Sequence, residues 1–379
     1  MRIAVVSTAR SHLLDVAIAL ENEGHNVIFY TAMPKKRCEK FGFSPTNVIS
    51  FFPLIGLLFI HRKISFKYKL KPFLISILDD LLDRLTSLSL KKCDILIGSS
   101  VIAVKSSIKA RKKYGAYIIT DCGTKHVIEQ DAVLKHVPQA RSIYKTVIQN
   151  ELVNYDYADK IVVPSHHSFD SFVKHNIDPS KILINPYGVN TKMFYPTMKL
   201  KAEKFDVIIV GSWRYIKGCD ILADACLNKL KVRLLHVGPI FGDLPLPSSP
   251  LFTHIEPIPQ HELIEYYKVS KIFVLPSRAE GLALVQAQAM VCGLPIVYSY
   301  DTGGTNLKEL IGGSDFMFQT PDLNADNLAN TIKLALEKSN EQRVGVLRDY
   351  VGKSIENLTW EAYGNRYSKF LNTLQTGKN

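Results

Sequence analysis

The chain has 379 residues, of which 46% are hydrophobic and 22% are charged. This composition excludes a disordered or fibrous protein, and the length is natural for two domains of ordinary size. The net charge of +12 is confined to residues 1–150, which hold 23 Lys and Arg against 11 Asp and Glu, whereas residues 151–379 hold 24 of each.

The first half alternates short apolar runs with helical stretches, which is typical of a parallel α/β sheet. Its predicted strands are Arg2–Ser7, Asn26–Tyr30, Asp94–Gly98, Ala116–Thr120 and Lys160–Val163. A helix is predicted over Leu13–Glu23, with Ser11 as its N-cap. The N-terminus MRIAVVSTAR begins as a strand and lacks the features of a signal peptide, so we expect a cytoplasmic protein.

An apolar run in the first half is followed at once by basic residues. The run is Phe51–Ile60 (FFPLIGLLFI), and the basic residues are His61, Arg62, Lys63, Lys67, Lys69 and Lys71. Ten residues are too few to span a bilayer, for which roughly 20 are needed. The segment is therefore either an interfacial element on an anionic membrane or a core element with solvated lysines, and periodicity does not distinguish the two.

The second half repeats the alternating pattern after a linker around Asn190–Lys204. Its predicted strands are Asp206–Val210, Val232–Val237, Lys271–Leu275 and Pro295–Tyr298. The segment Ile355–Leu374 spaces its aromatic residues as an amphipathic helix does. Six scattered cysteines, without C-x-x-C or histidines at ligand spacing, favour a reducing compartment and no metal site.

The most informative segment is Leu275–Leu310 (LPSRAEGLALVQAQAMVCGLPIVYSYDTGGTNLKEL). The strand ends at Pro276, and helical spacing resumes after Gly281. Glu280 is therefore predicted at the carboxyl end of a strand, beside the start of a helix. In open α/β sheets this edge binds ligands, and the free amides of a helix N-terminus suit an anionic ligand.

This segment resembles the motif of retaining glycosyltransferases of family 4, which have the GT-B architecture. Two further stretches resemble the family in the same order: Tyr157–Pro196 (YADKIVVPSHHSFDSFVKHNIDPSKILINPYGVNTKMFYP) and Val210–Leu222 (VGSWRYIKGCDIL). The resemblance implies two Rossmann-like doubly wound domains with a cleft between them and a C-terminal helix that crosses back to the first domain. The implied boundaries are 1–189 for an acceptor domain, 190–354 for a nucleotide-sugar domain and 355–379 for the final helix.

The resemblance also implies roles for residues of the second domain. Glu280 would accept hydrogen bonds from donor-sugar hydroxyls, and Lys217 would bind the departing diphosphate. Further donor-binding residues would be Gly211, Ser212, Arg214, Gly281, Leu282, Gln288, Gly303 and Gly304. Two positions depart from the family pattern, because Ser212 replaces an Arg, with Arg214 two residues later, and Gln288 replaces a second Glu.

In the first domain, Asp121–Gln130 (DCGTKHVIEQ) resembles a family variant in which a histidine faces the reaction centre, and His126 takes that position. Ser11 and His12, on the loop after the first strand, are candidates for contact with phosphate or acceptor. The sequence offers no obvious pair of nucleophile and base, which is compatible with same-face attack without a protein nucleophile.

The resemblance therefore predicts a hexosyltransferase that needs no metal or other cofactor. It would use a nucleotide-diphosphate sugar as donor and a glycan or lipid-linked acceptor, as in the synthesis of bacterial surface polysaccharide. The basic first half leaves peripheral attachment to the inner face of the membrane open. A non-catalytic GT-B protein that binds a nucleotide sugar or a partner enzyme is the alternative. Nucleic acid is not an expected partner, because no recognised binding module is present.

Overall fold

The computed structural model of the protein describes residues 1–53, 71–196, 204–339 and 352–376, together with 345, 349 and 350. Two parallel sheets form its framework. Residues 54–70, which include most of the predicted membrane segment, lie outside the described residues. Within the described part of the chain, no helix is long and apolar enough to cross a membrane.

The first sheet has seven parallel strands in the order β3-β2-β1-β4-β5-β6-β7. These strands are β1 (Arg2–Ser7), β2 (Asn26–Thr31), β3 (Val48–Ser50), β4 (Ile95–Ser99), β5 (Tyr117–Asp121), β6 (Lys160–Val163) and β7 (Ile182–Ile184). Its helices are α1 (His12–Asn22), α2 (Lys35–Lys40), α3 (Lys71–Ser89), α4 (Val104–Tyr114), α5 (Val127–His136), α6 (Lys145–Tyr157) and α7 (His166–Lys174). Because order reverses at β1, the loops after β1 and β4 meet at a crevice on the carboxyl edge.

The second sheet has six parallel strands in the order β10-β9-β8-β11-β12-β13. These strands are β8 (Phe205–Val210), β9 (Leu234–Val237), β10 (Phe252–Ile255), β11 (Ser270–Leu275), β12 (Ile296–Tyr298) and β13 (Met317–Gln319). Its helices are α8 (Cys219–Ala223), α9 (Leu263–Lys268), α10 (Leu284–Val291), α11 (Gly304–Leu310) and α12 (Ala325–Ser339). Buried Val, Ile and Leu fill the central strands, as expected for a sheet covered on both faces.

The C-terminal helix α13 (Trp360–Thr376) packs on α1 of the first unit. The approach is close, because a Cβ at Gly364 would lie 2.8 Å from that of Ala19. Tyr363 and Tyr367 of α13 are fully buried, and the main chain of Val189 bonds to that of Leu358 just before the helix. The predicted crossing of the final helix back to the first domain is confirmed.

Candidate functional site

Glu280 lies on the loop between β11 and α10, at the carboxyl edge of the second sheet. Pro276 ends the strand, and the buried Ser277 then fixes the loop. The Ser277 hydroxyl lies 3.0 Å from the carbonyl of Ile216 and 3.1 Å from Glu280 Oε1. The Ser277 hydroxyl thus orients the Glu280 carboxylate. Glu280 itself lies at the strand end where the sequence predicted it.

Lys217 and Glu280 form an ion pair through Nζ and Oε1. Lys217 ends a short 3-10 turn after β8, and Gly218 follows it with a φ of +69°. A Cβ at Gly218 would lie 2.0 Å from the carbonyl oxygen of Pro276, so only glycine lets the two loops meet. The pair is partly open to solvent, with 26% and 15% of the two side chains exposed. A cation and a carboxylate from two different loops therefore lie side by side, with solvent access to both.

Arg214 pairs with a different carboxylate, Asp243. Its Nε donates to Asp243 Oδ2 at 2.9 Å, and its guanidinium stacks over the ring of Phe241. Arg214 and Asp243 line a cavity of about 620 Å³, and Arg141 of the first unit lines the same cavity. The arginine two residues after Ser212 is therefore directed toward this cavity by its carboxylate partner.

Gly211 and Ser212 form the backbone of the loop after β8. The Gly211 carbonyl accepts a hydrogen bond from His236 Nε2 at 2.8 Å, and the Ser212 carbonyl accepts one from the thiol of Cys219. Burial lowers the pKa of His236 to about 4, so the ring is neutral at pH 7. His236 in turn contacts His254 through the two Nδ1 atoms at 2.9 Å. The buried His236 and the His254 ring stacked on it thus lie behind this loop.

Gly281 brings the second unit against the first. A Cβ at this position would lie 1.8 Å from the carbonyl oxygen of Gly123 and 3.0 Å from Pro164 Cγ. The Ser165 hydroxyl donates to the Gly281 carbonyl at 2.8 Å, and His167 Nε2 bonds to the Glu280 carbonyl at 3.0 Å. The candidate site is therefore at the contact between the two units.

Gln288 is on the second turn of α10 and is 5% exposed. Its Oε1 is buried without a hydrogen-bond partner among the described residues. A buried carbonyl oxygen without a partner is unfavourable by about 1–3 kcal/mol. The preceding Leu282 is also buried, at 6% exposure. Gln288 therefore holds a buried acceptor without a partner among the described residues.

Gly303 and Gly304 form the turn before α11, as predicted. Gly303 has a φ of +76°, which favours glycine. A Cβ at Gly304 would lie 2.3 Å from the ring of Tyr298. The backbone conformation and the packing within the second unit therefore explain why both positions hold glycine.

His126 is buried, at 2% exposure, and its role at the reaction centre stays a prediction. The residue is the N-cap of α5, where its Nδ1 accepts from the amide of Ile128 at 3.4 Å. Its ring stacks on His175 with centroids 4.5 Å apart and meets Phe172 edge-on. Burial lowers its pKa to about 4, with His175 as a second cause. These aromatic partners, distant in sequence, draw the ring into the first unit.

His12 and Ser11 begin α1 at the carboxyl edge of the first sheet. Ser11 is the predicted N-cap and accepts from the amide of Leu13 at 3.3 Å. His12 Nε2 lies 2.7 Å from Asp121 Oδ1, and its ring packs on Tyr187 with centroids 4.6 Å apart. The sequence showed no such pair, because 109 residues separate its two members. Asp121 is thus a site residue that sequence reasoning missed.

Two further residues of the first unit were missed. His167 bonds to the backbone of the Glu280 loop, as described above. Lys125 Nζ forms an ion pair with Asp301 Oδ1 of the second unit at 2.8 Å, and only 10% of the lysine side chain is exposed. Both residues could have been found from their position in the sequence. His167 follows β6 and Lys125 follows β5, at the sheet edge where ligands bind. Within the described part of the chain, no group of three or more His, Cys, Asp or Glu could hold a metal ion.

Comparison with known proteins agrees with this geometry. The model of Glycosyltransferase Family 4 matches residues 9–193, and the model of Glycosyl transferases group 1 matches residues 204–338. The first match covers the seven-stranded sheet and the second covers the six-stranded sheet. The chain has the GT-B fold of glycosyltransferases. The candidate site therefore lies in the cleft between the two domains of that fold.

Solved structures align over nearly the whole GT-B chain. Sucrose-phosphate synthase from Thermosynechococcus elongatus has a TM-score of 0.66 and 18% identity, and it covers 99% of each chain. Anabaena HepE, in complex with UDP-glucose, has a TM-score of 0.68 and 15% identity over 98% of this chain and 100% of its own. These identities show the fold alone.

Curated relatives align over a shorter stretch. The D-inositol 3-phosphate glycosyltransferase of Mycobacteroides abscessus is 31% identical over 163 residues. This stretch is 38% of the chain and 37% of the relative. The chain thus spans little more than a third of the length of this relative.

Proposed function

We propose that the protein transfers a sugar from a nucleotide-diphosphate sugar to a glycan or lipid-linked acceptor. The observation that supports this most is the Lys217–Glu280 pair, in the cleft between two units that match glycosyltransferase models. Similarity to a protein solved with UDP-glucose supports the donor class. The pair supplies the two interactions such a donor needs, with its diphosphate and with its hydroxyls.

Lys217 is assigned to the departing diphosphate. Negative charge grows on the diphosphate as the bond to the sugar breaks, and a preplaced cation lowers the barrier most when water is excluded. Glu280 is assigned to the sugar hydroxyls, because a carboxylate is a strong acceptor. Without ligand the two groups pair with each other, so donor binding exchanges that ion pair for contacts with the phosphate and the sugar.

We also propose that transfer needs no metal and proceeds with retention of anomeric configuration. Metal independence is supported by Lys217, which provides a cation where the diphosphate would lie. Retention is supported by the resemblance to family 4. Proton NMR of the first-formed product distinguishes the two configurations, and an inverted product would contradict this assignment.

The acceptor is proposed to be bound to the inner face of the membrane. The basic first domain and the apolar run Phe51–Ile60 support a protein that works at an anionic surface. Reversing the charge of Lys67, Lys69 and Lys71 should abolish binding to vesicles of phosphatidylglycerol and phosphatidylcholine. Reversal of Lys112 and Lys113 on α4 is the matched control. Equal binding by all variants would exclude this segment as the membrane contact.

The decisive experiment measures nucleotide-diphosphate release from a panel of UDP-, GDP- and ADP-sugars in the presence of EDTA. Wild type is compared with Glu280→Ala and Lys217→Ala. Release from one donor, lost in both variants, would support a metal-independent transferase and identify its sugar.

A non-catalytic GT-B protein is the second candidate, favoured by Ser212 and Gln288 at the two positions that depart from the family pattern. Such a protein would bind a nucleotide sugar without turnover. Calorimetric titration with the same panel separates the two functions, because only the enzyme releases a nucleotide diphosphate.

A further inference from the structure

The cavity of about 620 Å³ beside Arg214 is lined by both domains. The first domain contributes the end of α5 and the turn after it, within residues 134–141, and the second domain contributes the loops after β8 and β9. Sites for small molecules have volumes of about 300–1,000 Å³. Ile216 lines the cavity, precedes Lys217 in the chain and accepts the hydrogen bond of Ser277. The cavity therefore adjoins the loops assigned to the donor.

Arg214 lines this cavity with most of its hydrogen-bond donors unused. Its Nε donates to Asp243 Oδ2 at 2.9 Å, and its guanidinium carbon lies 5.0 Å from the centre of the Phe241 ring. No other hydrogen bond from Arg214 is present within the described part of the chain. Because the carboxylate and the ring fix the guanidinium plane, the remaining N–H groups form a preoriented fork that suits phosphate or carboxylate.

Arg141 brings a second guanidinium to the same cavity from the opposite domain. This arginine is exposed and forms no ion pair or hydrogen bond with another described residue. Among the described residues that line the cavity, Asp243 is the one carboxylate. Two positive charges therefore share one negative charge. Like charges that face each other across an interface repel, and an anion between them removes that repulsion.

Asp243 also supplies an acceptor that no protein group uses. Its Oδ2 accepts from Arg214, whereas its Oδ1 is buried without a hydrogen-bond partner among the described residues. A buried carboxylate oxygen is unfavourable unless a donor reaches it. A sugar hydroxyl is such a donor. The cavity thus fits a ligand that carries a hydroxyl group beside an anionic group.

We propose that this cavity binds an acceptor sugar that carries a phosphate or carboxylate group. Arg141 and Arg214 bind the anionic group, and Asp243 Oδ1 accepts a hydrogen bond from a hydroxyl of the same ligand. This inference rests on the proposed function and adds the chemical class of the acceptor. Because the two arginines belong to different domains, acceptor binding and domain closure favour each other.

The competing account assigns the cavity to the donor nucleotide, whose phosphates also pair with arginine. The two accounts differ in what a bound nucleotide leaves free. If the nucleotide occupies Arg141 and Arg214, a second anion has no site once the nucleotide is saturating. If the cavity belongs to the acceptor, the nucleotide and a second anion bind together.

The first measurement is therefore the Kd of inorganic phosphate, by phosphorus NMR, with UDP present at saturation. Wild type is compared with Arg141→Gln and Arg214→Gln. Arg37→Gln is the matched control, because Arg37 is an exposed arginine of α2 that does not line the cavity. Repeating the titration with acetate, followed by proton NMR, distinguishes a site for phosphate from one for carboxylate.

We expect phosphate to bind wild type together with UDP. Each of Arg141→Gln and Arg214→Gln should raise the Kd of phosphate by about 10- to 100-fold, because each removes a charge-assisted hydrogen bond, and Arg37→Gln should leave it unchanged. The Kd of UDP should stay within about 2-fold of wild type in all variants. Equal phosphate affinity in all variants would overturn the proposal, and so would loss of phosphate binding when UDP saturates.

The second measurement is nucleotide-diphosphate release from the donor that wild type turns over, with trial acceptors added. These are the neutral, phosphorylated and uronic-acid forms of glucose, galactose and mannose. A charged form should accelerate release more than its neutral parent, and both arginine substitutions should raise the KM of that acceptor without changing the KM of the donor. Neutral forms that act equally well, with KM unaffected by either substitution, would overturn the acceptor class.

The two measurements separate failure of this inference from failure of the proposed function. A wild type that turns over donor but binds phosphate equally in all variants would refute the anion site alone. A wild type that binds phosphate through both arginines but turns over no donor would refute the proposed function, and the acceptor role with it.

Discussion

Replacement of Gly281 by alanine tests whether the donor loop works only when the two domains touch. The new Cβ at position 281 would lie 1.8 Å from the carbonyl oxygen of Gly123, and these two atoms must move apart to at least 3.4 Å for ordinary contact. Such a movement breaks the hydrogen bonds of Ser165 to the Gly281 carbonyl and of His167 to the Glu280 carbonyl, which are 2.8 and 3.0 Å long. At about 1 kcal/mol each, the closed arrangement loses roughly 2 kcal/mol, or about 30-fold in population.

Gly281→Ala should therefore lower kcat/KM for the donor by about 30-fold and increase the radius of gyration measured by small-angle X-ray scattering. The matched control is Gly352→Ala, because a Cβ at Gly352 meets nothing within 4 Å and its φ is not positive. Both variants should keep the thermal stability of each domain. An unchanged radius of gyration together with wild-type kcat/KM for Gly281→Ala would refute the reasoning.

Three further predictions concern single contacts. Gln288→Glu should lower the unfolding temperature of the ligand-free protein, because a buried carboxylate without a partner is more unfavourable than a buried amide. Nucleotide diphosphate should then raise the unfolding temperature of the variant more than that of wild type in differential scanning fluorimetry. Equal shifts in both proteins would contradict this. Burial lowers the pKa of His236 to about 4, so the unfolded chain binds the proton more readily than the folded protein. The free energy of unfolding should therefore fall by on the order of 1–3 kcal/mol as the pH is lowered from 6.5 to 4. This loss should be smaller in His236→Gln and unchanged in His261→Gln. A double-mutant cycle of Lys125→Ala and Asp301→Ala in urea denaturation should give a coupling energy of about 1–2 kcal/mol, and a value near zero would show that the pair does not join the domains.

The longer elements of the fold were predictable because local signals agree there. β1 and β6 have the predicted bounds, and α1 begins after the predicted cap, Ser11. The strands β3, β7, β10 and β13 were not predicted. They have three or four residues each, too few for apolar alternation to distinguish a strand from a loop.

The candidate site was predictable where its residues follow neighbouring strands. Glu280 lies at the expected strand end, and Lys217 lies beside it because β8 and β11 are neighbours in the sheet. The pairing of His12 with Asp121 was not predictable, since it depends on two strands separated by β4. The burial of His126 was not predictable for a related reason, because nothing near it in sequence reveals the aromatic rings of α6 and α7 that pack on its side chain.

Helix α13 makes the order of protein synthesis relevant to folding. During translation, the first domain leaves the ribosome well before residues 360–376 exist, and at roughly 5–20 residues per second the delay is on the order of ten to forty seconds. Until then the surface of α1 around Ala19, which later contacts Gly364, is exposed. The nascent first domain therefore presents an apolar surface that a chaperone can bind. When α13 arrives and packs on this surface, it displaces the chaperone.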